Sequence, residues 1–181
     1  KPDGNNYAID LVKQINDLNQ GRYLDEDLQN TMATDFCIGV AGYPEKHFEA
    51  PSLNIDIEHL KAKVDAGADY IVTQLFFDNS KFFAFVDKCR EAGITVPIVP
   101  GLKPLVTKRQ LSILPQIFHV DIPDTLAIEV LKCKDNAQVR QVGIEWCIQQ
   151  SKELKDAGVP VLHYYSMGKS KNIYEIASAI F

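Results

Sequence analysis

Short apolar runs alternate along the chain with stretches whose apolar residues recur every three or four positions. The runs occupy 36–42, 70–77, 96–99 and 161–165. Runs of that length, bounded by turn residues, predict the buried strands of a parallel sheet. The periodic stretches predict helices at about 7–18, where Ile9, Val12 and Ile15 share a face, and from about Asn54, where Ile57, Leu60 and Val64 do so. Further helices are expected over about 80–91, 108–118, 123–131 and 136–156. Pro123 suits the first turn of its helix, where a missing N–H costs nothing. Val139, Val142, Trp146 and Leu154 form the expected core stripe of the longest helix.

Punctuation supports this division. Asp65-Ala66-Gly67, Glu91-Ala92-Gly93 and Asp156-Ala157-Gly158 each close a helical stretch shortly before an apolar run. Glycine there supplies the left-handed residue that ends a helix. Strand-to-helix alternation of this kind predicts right-handed βα units and a parallel sheet. No linker or low-complexity segment interrupts it, so residues 1–181 read as one domain without an internal boundary.

Charge and composition narrow the classes. The 181 residues carry 19 Lys and Arg against 24 Asp and Glu, a net charge of −5, and 46% of them are hydrophobic. That is a globular composition, and without a basic run it argues against nucleic-acid binding. No apolar stretch approaches the roughly 20 residues of a membrane span. The polar start at Lys1 is unlike a signal peptide and carries no initiator Met, so the native chain is expected to begin upstream. Cys37, Cys89, Cys133 and Cys147 show no metal-ligand spacing; Cys37 and Cys147 read as buried thiols of a reducing, cytoplasmic compartment. No metal site is expected.

In parallel βα folds the chemistry sits at the carboxyl ends of the strands. Those ends carry Tyr43-Pro44-Glu45-Lys46-His47, Gln74, Pro100-Gly101 and His163-Tyr164-Tyr165. Neutral donors, acceptors and rings of this kind suit a flat heterocycle better than an acid–base hydrolase site. No nucleophile elbow or phosphate loop is present.

The ordered set of motifs is more specific than any one of them. Ala41-Gly42-Tyr43-Pro44-Glu45-Lys46-His47 is followed by Asp56, Leu60 and Lys63, then by Ala66-Gly67-Ala68-Asp69 and Thr73-Gln74-Leu75-Phe76-Phe77-Asp78. Pro97-Ile98-Val99-Pro100-Gly101, Lys134-Asp135-Asn136 with Arg140, Gly143-Ile144-Glu145 and the final His163-Tyr164-Tyr165 complete the series. Together they resemble the methylenetetrahydrofolate reductase family from about Tyr7 to Phe181. The resemblance implies an α/β fold of the (βα)8 TIM-barrel family, with this chain supplying the last four βα units as a half barrel. It implies a flavoprotein of one-carbon metabolism that uses NADH or NADPH to reduce FAD, which then reduces 5,10-methylenetetrahydrofolate to 5-methyltetrahydrofolate in ping-pong fashion. The family's acidic proton donor falls upstream of Lys1, so no catalytic residue is assigned here and the chain alone is expected to be inactive. A half barrel also leaves two strand edges unpaired, which favours a homo-oligomer. The alternative from a different class is a truncated, non-catalytic flavin- or folate-binding or assembly module.

The resemblance also distributes roles. Gln74 stands where pterin and nicotinamide take turns over the flavin, and its amide both donates and accepts. Gln110, Tyr165 and Lys169 join it as substrate or nicotinamide contacts. Lys169 replaces an Arg that would hold the folate's glutamate carboxylate, keeping the charge but losing the fork. Ala8, Tyr43, His47 and the backbone of Ala50 are the implied flavin contacts. Asp56, His59 and Lys63, spaced to share a helix face, are assigned to the ribose, pyrophosphate and adenine side of FAD. Ala62 stands where several bacterial members carry another basic residue.

Overall fold

The computed structural model describes residues 4–181. Among these residues seven helices and four strands follow one another as α1 (Ala8–Asn19), β1 (Gly39–Gly42), α2 (Leu53–Asp65), β2 (Tyr70–Leu75), α3 (Asn79–Glu91) and β3 (Ile98–Leu102), then α4 (Gln110–Phe118), α5 (Asp124–Lys132), α6 (Asn136–Asp156), β4 (His163–Tyr164) and α7 (Ser170–Ser178). The strands make one parallel sheet in chain order, β1-β2-β3-β4. Its register pairs Gly39 with Tyr70, Ile71 with Ile98 and Gly101 with His163.

The helices start and stop where side chains satisfy their free ends. Ser52, Asp78 and Asp135 accept from Ile55, Ser80 and Gln138 backbone N–H groups at 3.3, 2.9 and 2.9 Å. The three anticipated glycines all lie in the left-handed region, at φ +116°, +78° and +85° for Gly67, Gly93 and Gly158. Pro123 departs slightly from expectation. It precedes α5 as the capping residue, with φ −55° but an extended ψ of 140°, rather than sitting in the first turn.

Strand boundaries shift for physical reasons. Phe36 and Cys37 are exposed and β1 begins only at Gly39, after Ile38 N–H has been captured by the Asp69 carboxylate at 2.7 Å. The expectation that Cys37 is buried is therefore corrected, while Cys89, Cys133 and Cys147 are buried. β3 runs on through Pro100 and Gly101 to Leu102, and β4 shrinks to two residues.

Buried side chains fall into three groups. One, around Ile38, Ile57, Leu60, Ile71 and Phe85, lies between β1–β2 and the first three helices. A second gathers Leu75, Phe77, Leu105, Leu114, Leu126 and Val139 at the far ends of the strands, beneath α4 to α6. The third joins Phe76, Phe82, Leu102, Ile144, Leu154 and Ile176. Trp146 packs beside the second group and donates its indole N–H to Phe77 O at 3.0 Å. No helix among the described residues is long and apolar enough to cross a membrane.

Candidate functional site

The chain leaves β1 in a tight loop built around a cation spent on backbone. Lys46 adopts φ +82° and its ammonium donates to the carbonyls of His47 and Ala50 at 3.0 and 2.7 Å. His47 N–H in turn donates to the Asp56 carboxylate at 2.8 Å, pinning the loop to the first turns of α2. Tyr43 and His47 meet edge to face, 4.6 Å between ring centroids at 71°. Burial, then the nearby Asp56 and Glu49 carboxylates, push the Tyr43 phenol up.

Lys63, two turns further along α2, reaches back and donates to Ala41 O at 2.8 Å. Burial lowers its ammonium while Asp56 opposes that shift. Tyr43, His47, Asp56 and Lys63 thus form one connected group at the end of β1. Ala50 belongs to it, although both its backbone groups are engaged internally, by His47 O and by Lys46. His59, exposed on α2, makes no hydrogen bond or ion pair among the described residues. Ala8, exposed at the start of α1, is likewise not tied to the group.

At the end of β2, the Gln74 carbonyl accepts from Leu75 N–H at 2.9 Å, which fixes the amide head and leaves its N–H2 free of protein acceptors. Tyr165, just past β4, donates to Thr73 O at 2.9 Å. Burial, then the nearby Tyr43, raises its phenol. Gln110 opens α4 and its carbonyl accepts from Val106 and Thr107 N–H at 2.7 and 3.1 Å. That is a capping role, with only its N–H2 left over. Lys169 is exposed in the turn before α7, apart from these groups.

Three groups at this end escaped the sequence reading. Glu45 accepts from the distant Asp121 N–H at 2.9 Å, and burial foremost raises its carboxyl to about 7. An acid inside an otherwise aromatic strand end was the available signal. Phe48 stacks on His119, with centroids 5.2 Å apart and planes 23° apart; no local pattern links residues so far apart in sequence. Lys103, directly after β3, is partly buried without a hydrogen bond or ion pair among the described residues, and burial lowers its ammonium.

Tyr43, Glu45, Gln74, Phe118 and His119 border a crevice of about 10 Å³. A larger cleft of about 310 Å³ lies between α3, α5 and α6, lined by Trp146, Asn79, Gln150 and Glu153 among others. Size favours the second, but its amides and acid are satisfied by one another, and none of the anticipated residues reaches it. The strand-end crevice brings together the rings of Tyr43, Phe118 and His119 with the Gln74 amide, while Asp56 and Lys63 stand on the neighbouring helix outside its lining. Among the described residues no cluster of His, Cys, Asp or Glu could hold a metal ion.

Comparison with known proteins adds to this geometry. The family model described as methylenetetrahydrofolate reductase matches residues 1–180. A probable methylenetetrahydrofolate reductase (NADPH) of Caenorhabditis elegans is 38% identical over 92% of this chain and 26% of its own length. Methylenetetrahydrofolate reductase (NADH) 1 of Zea mays is 39% identical over 91% of the chain and 27% of its own. The 5,10-methylenetetrahydrofolate reductase of Escherichia coli is 37% identical over 96% of the chain and 54% of its own. The chain thus spans between a quarter and about half of these relatives. Among solved structures, an uncharacterized protein from Clostridium thermocellum, described as binding two copies of 5-methyl-5,6,7,8-tetrahydrofolic acid, superposes with a TM-score of 0.53 at 19% identity. The superposition covers 81% of this chain and 53% of that one, and it bears on the fold alone.

Proposed function

The chain belongs to the methylenetetrahydrofolate reductase family, and on that footing we propose that it forms the C-terminal half of a (βα)8 barrel that reduces 5,10-methylenetetrahydrofolate to 5-methyltetrahydrofolate. The electron source is NADH or NADPH, both of which occur in the names of relatives. The observation that carries the reading is the family match over nearly the whole chain, joined to a strand end that collects Tyr43, Gln74 and Tyr165. Four parallel strands in chain order support the half-barrel reading, because that order is what a βα barrel repeats.

The donor set suits FAD. Asp56 and Lys63 each spend one bond on the protein and keep further capacity, the carboxylate for a ribose hydroxyl and the ammonium for a pyrophosphate. Tyr43 and His47 offer ring faces and edges to the flavin. When bound, FAD supplies a two-electron carrier between nicotinamide and folate. The chain's own residues bind and orient. Gln74, held by Leu75 N–H, directs its N–H2 to whichever heterocycle occupies the site. Tyr165 walls that place, the free N–H2 of Gln110 approaches the folate, and Lys169 attracts its glutamate carboxylate. These groups are given binding and orienting roles, and the family's acidic proton donor is assigned to the other half of the barrel. Four unpaired thiols suit the cytoplasm, and the edges of β1 and β4, unpaired among the described residues, suit pairing with further strands.

The test uses the full-length protein. It is expected to purify with a flavin spectrum and to form 5-methyltetrahydrofolate at the expense of NADH or NADPH. Gln74→Ala is expected to lower kcat/KM by about 10²-fold while flavin is retained, because its loss removes orientation rather than the cofactor. Undiminished turnover in that variant would remove Gln74 from the site, and absence of flavin and turnover in the parent would remove the proposal itself.

A further inference from the structure

We infer that Glu45 is a positioning residue: it ties the loop that carries Tyr43 and His47 to the connector between α4 and α5, and thereby controls access to the crevice beside Gln74. The inference rests on the reading of Gln74 as a ligand contact given above. Two contacts cross the crevice. Glu45 Oε2 accepts from Asp121 N–H at 2.9 Å, and the Phe48 ring lies on the ring of His119. The connector is turned toward the loop by His119 itself, which ends α4 in the left-handed region at φ +53° with its N–H bonded to Pro115 O at 3.0 Å. With both contacts made, the space of about 10 Å³ admits about one water molecule. A pterin or nicotinamide ring needs far more, since pockets for such ligands start at roughly 300 Å³. Entry from this side therefore requires the two contacts to part.

The charged and titratable groups around Glu45 decide the direction in which pH acts. Asp121 and His119 lie on the connector, Lys81 on α3, and Tyr43, Lys46 and His47 on its own loop, while Gln74 on β2 is neutral. Lys46 is occupied by two carbonyls, and Lys81 lies 3.5 Å from Asp121 Oδ2 rather than on Glu45. Burial raises the Glu45 carboxyl to about 7, with the Asp121 carboxylate adding to the rise while its N–H and Lys81 act against it. When the contacts part, Glu45 meets water and returns toward 4.5. The closed form therefore holds its proton more tightly than the open one. Closure is favoured in acid and weakens as pH climbs from about 4.5 to about 7. Chemically, the neutral acid can donate to the Asp121 carboxylate while accepting its N–H, and the carboxylate can only accept.

The experiment compares the full-length enzyme with Glu45→Gln and Glu45→Ala, reading kcat/KM for 5,10-methylenetetrahydrofolate from pH 6 to 8 and, separately, hydrogen-exchange protection of the 119–122 amides. Relative to the Gln variant, whose amide keeps both bonds and does not titrate, the parent is expected to gain about threefold to tenfold in kcat/KM across that range. The Ala variant is expected to lose the pH component and also the protection of the Asp121 amide. Superimposable profiles for parent and Gln variant overturn the inference, as does an Asp121 amide equally protected in the Ala variant and the parent. A parent that turns over no folate defeats the functional proposal instead, and the exchange measurement then still decides whether Glu45 holds the connector.

Discussion

Replacing Gly143 with Ala should destabilise the protein by about 1–2 kcal/mol net, against the usual preference of helices for alanine. Gly143 lies within α6, where Gly→Ala alone contributes about 1 kcal/mol in favour of the helix. A Cβ there, however, would stand 1.9 Å from Leu105 O, 2.7 Å from Leu105 C and 2.8 Å from Leu105 N. Ordinary contact begins near 3.4 Å, so helix and loop must separate by about 1.5 Å. The obstacle is backbone and cannot swing aside as a side chain would. Leu105 is 1% exposed, and the next two residues are held by Gln110. Overpacking of a well-filled site costs about 1–3 kcal/mol, backbone shifts included, and the severity of this clash puts it at the upper end, which outweighs the helix gain. Urea unfolding followed by circular dichroism and by the fluorescence of Trp146, one turn along the same helix, measures the difference. A variant as stable as the parent, or more so, would refute the reasoning that backbone-to-backbone contact fixes this residue.

Three further outcomes are expected. In the native protein one thiol should react quickly with a disulfide reagent, Cys37, while Cys89 and Cys147 stay silent, since both are buried and burial pushes them to about 11 and about 12; mass spectrometry of the labelled peptides identifies the site, and fast labelling of Cys147 would contradict its burial. Lys103→Met should raise the thermal midpoint by about 1–3 °C, because it removes a partly buried cation without a partner among the described residues; a lower midpoint would point to an acceptor that the cation engages. Asp56→Ala should cost about 1–2 kcal/mol and loosen the loop after β1, with Asn recovering most of the loss, since His47 N–H loses a charged acceptor at 2.8 Å; equal exchange rates for the His47 amide in parent and Ala variant would argue against this.

The periodic and punctuated parts of the chain were legible because their causes are local. Helix ends at Gly67, Gly93 and Gly158 follow from the conformational freedom of one residue, and the strands follow from short apolar runs. Boundaries were less legible where a distant group intervenes. Ile38 gives its N–H to the Asp69 side chain, so β1 starts one residue later, and β3 continues through Pro100, which has no N–H to donate. In the site, Tyr43, His47, Asp56 and Lys63 could be grouped in advance because they sit on one loop and the helix it enters. Glu45 with Asp121, and Phe48 with His119, meet only through the path of α4, a tertiary event that no spacing announces. Gln110 adds a role of the same hidden kind: its carbonyl caps two backbone donors, Val106 and Thr107 N–H, and its N–H2 stays free.

Thr73 sits at a break in the ladder. The register between β2 and β3 shifts between Val72 and Leu75. Across that gap Thr73 Oγ1 accepts from Gly101 N–H at 2.9 Å, and Thr73 O accepts the hydroxyl of Tyr165. At one end the sheet is laced by peptide groups, which every sequence possesses. At the other, across the gap between β2 and β3, a hydroxyl from a threonine and another from a tyrosine add to them, and a point mutation can delete either. The spacing of β2 and β3 at this end is thus a heritable variable: it rests on two side-chain hydroxyls that single substitutions reach, while the peptide pairing elsewhere in the sheet is left in place.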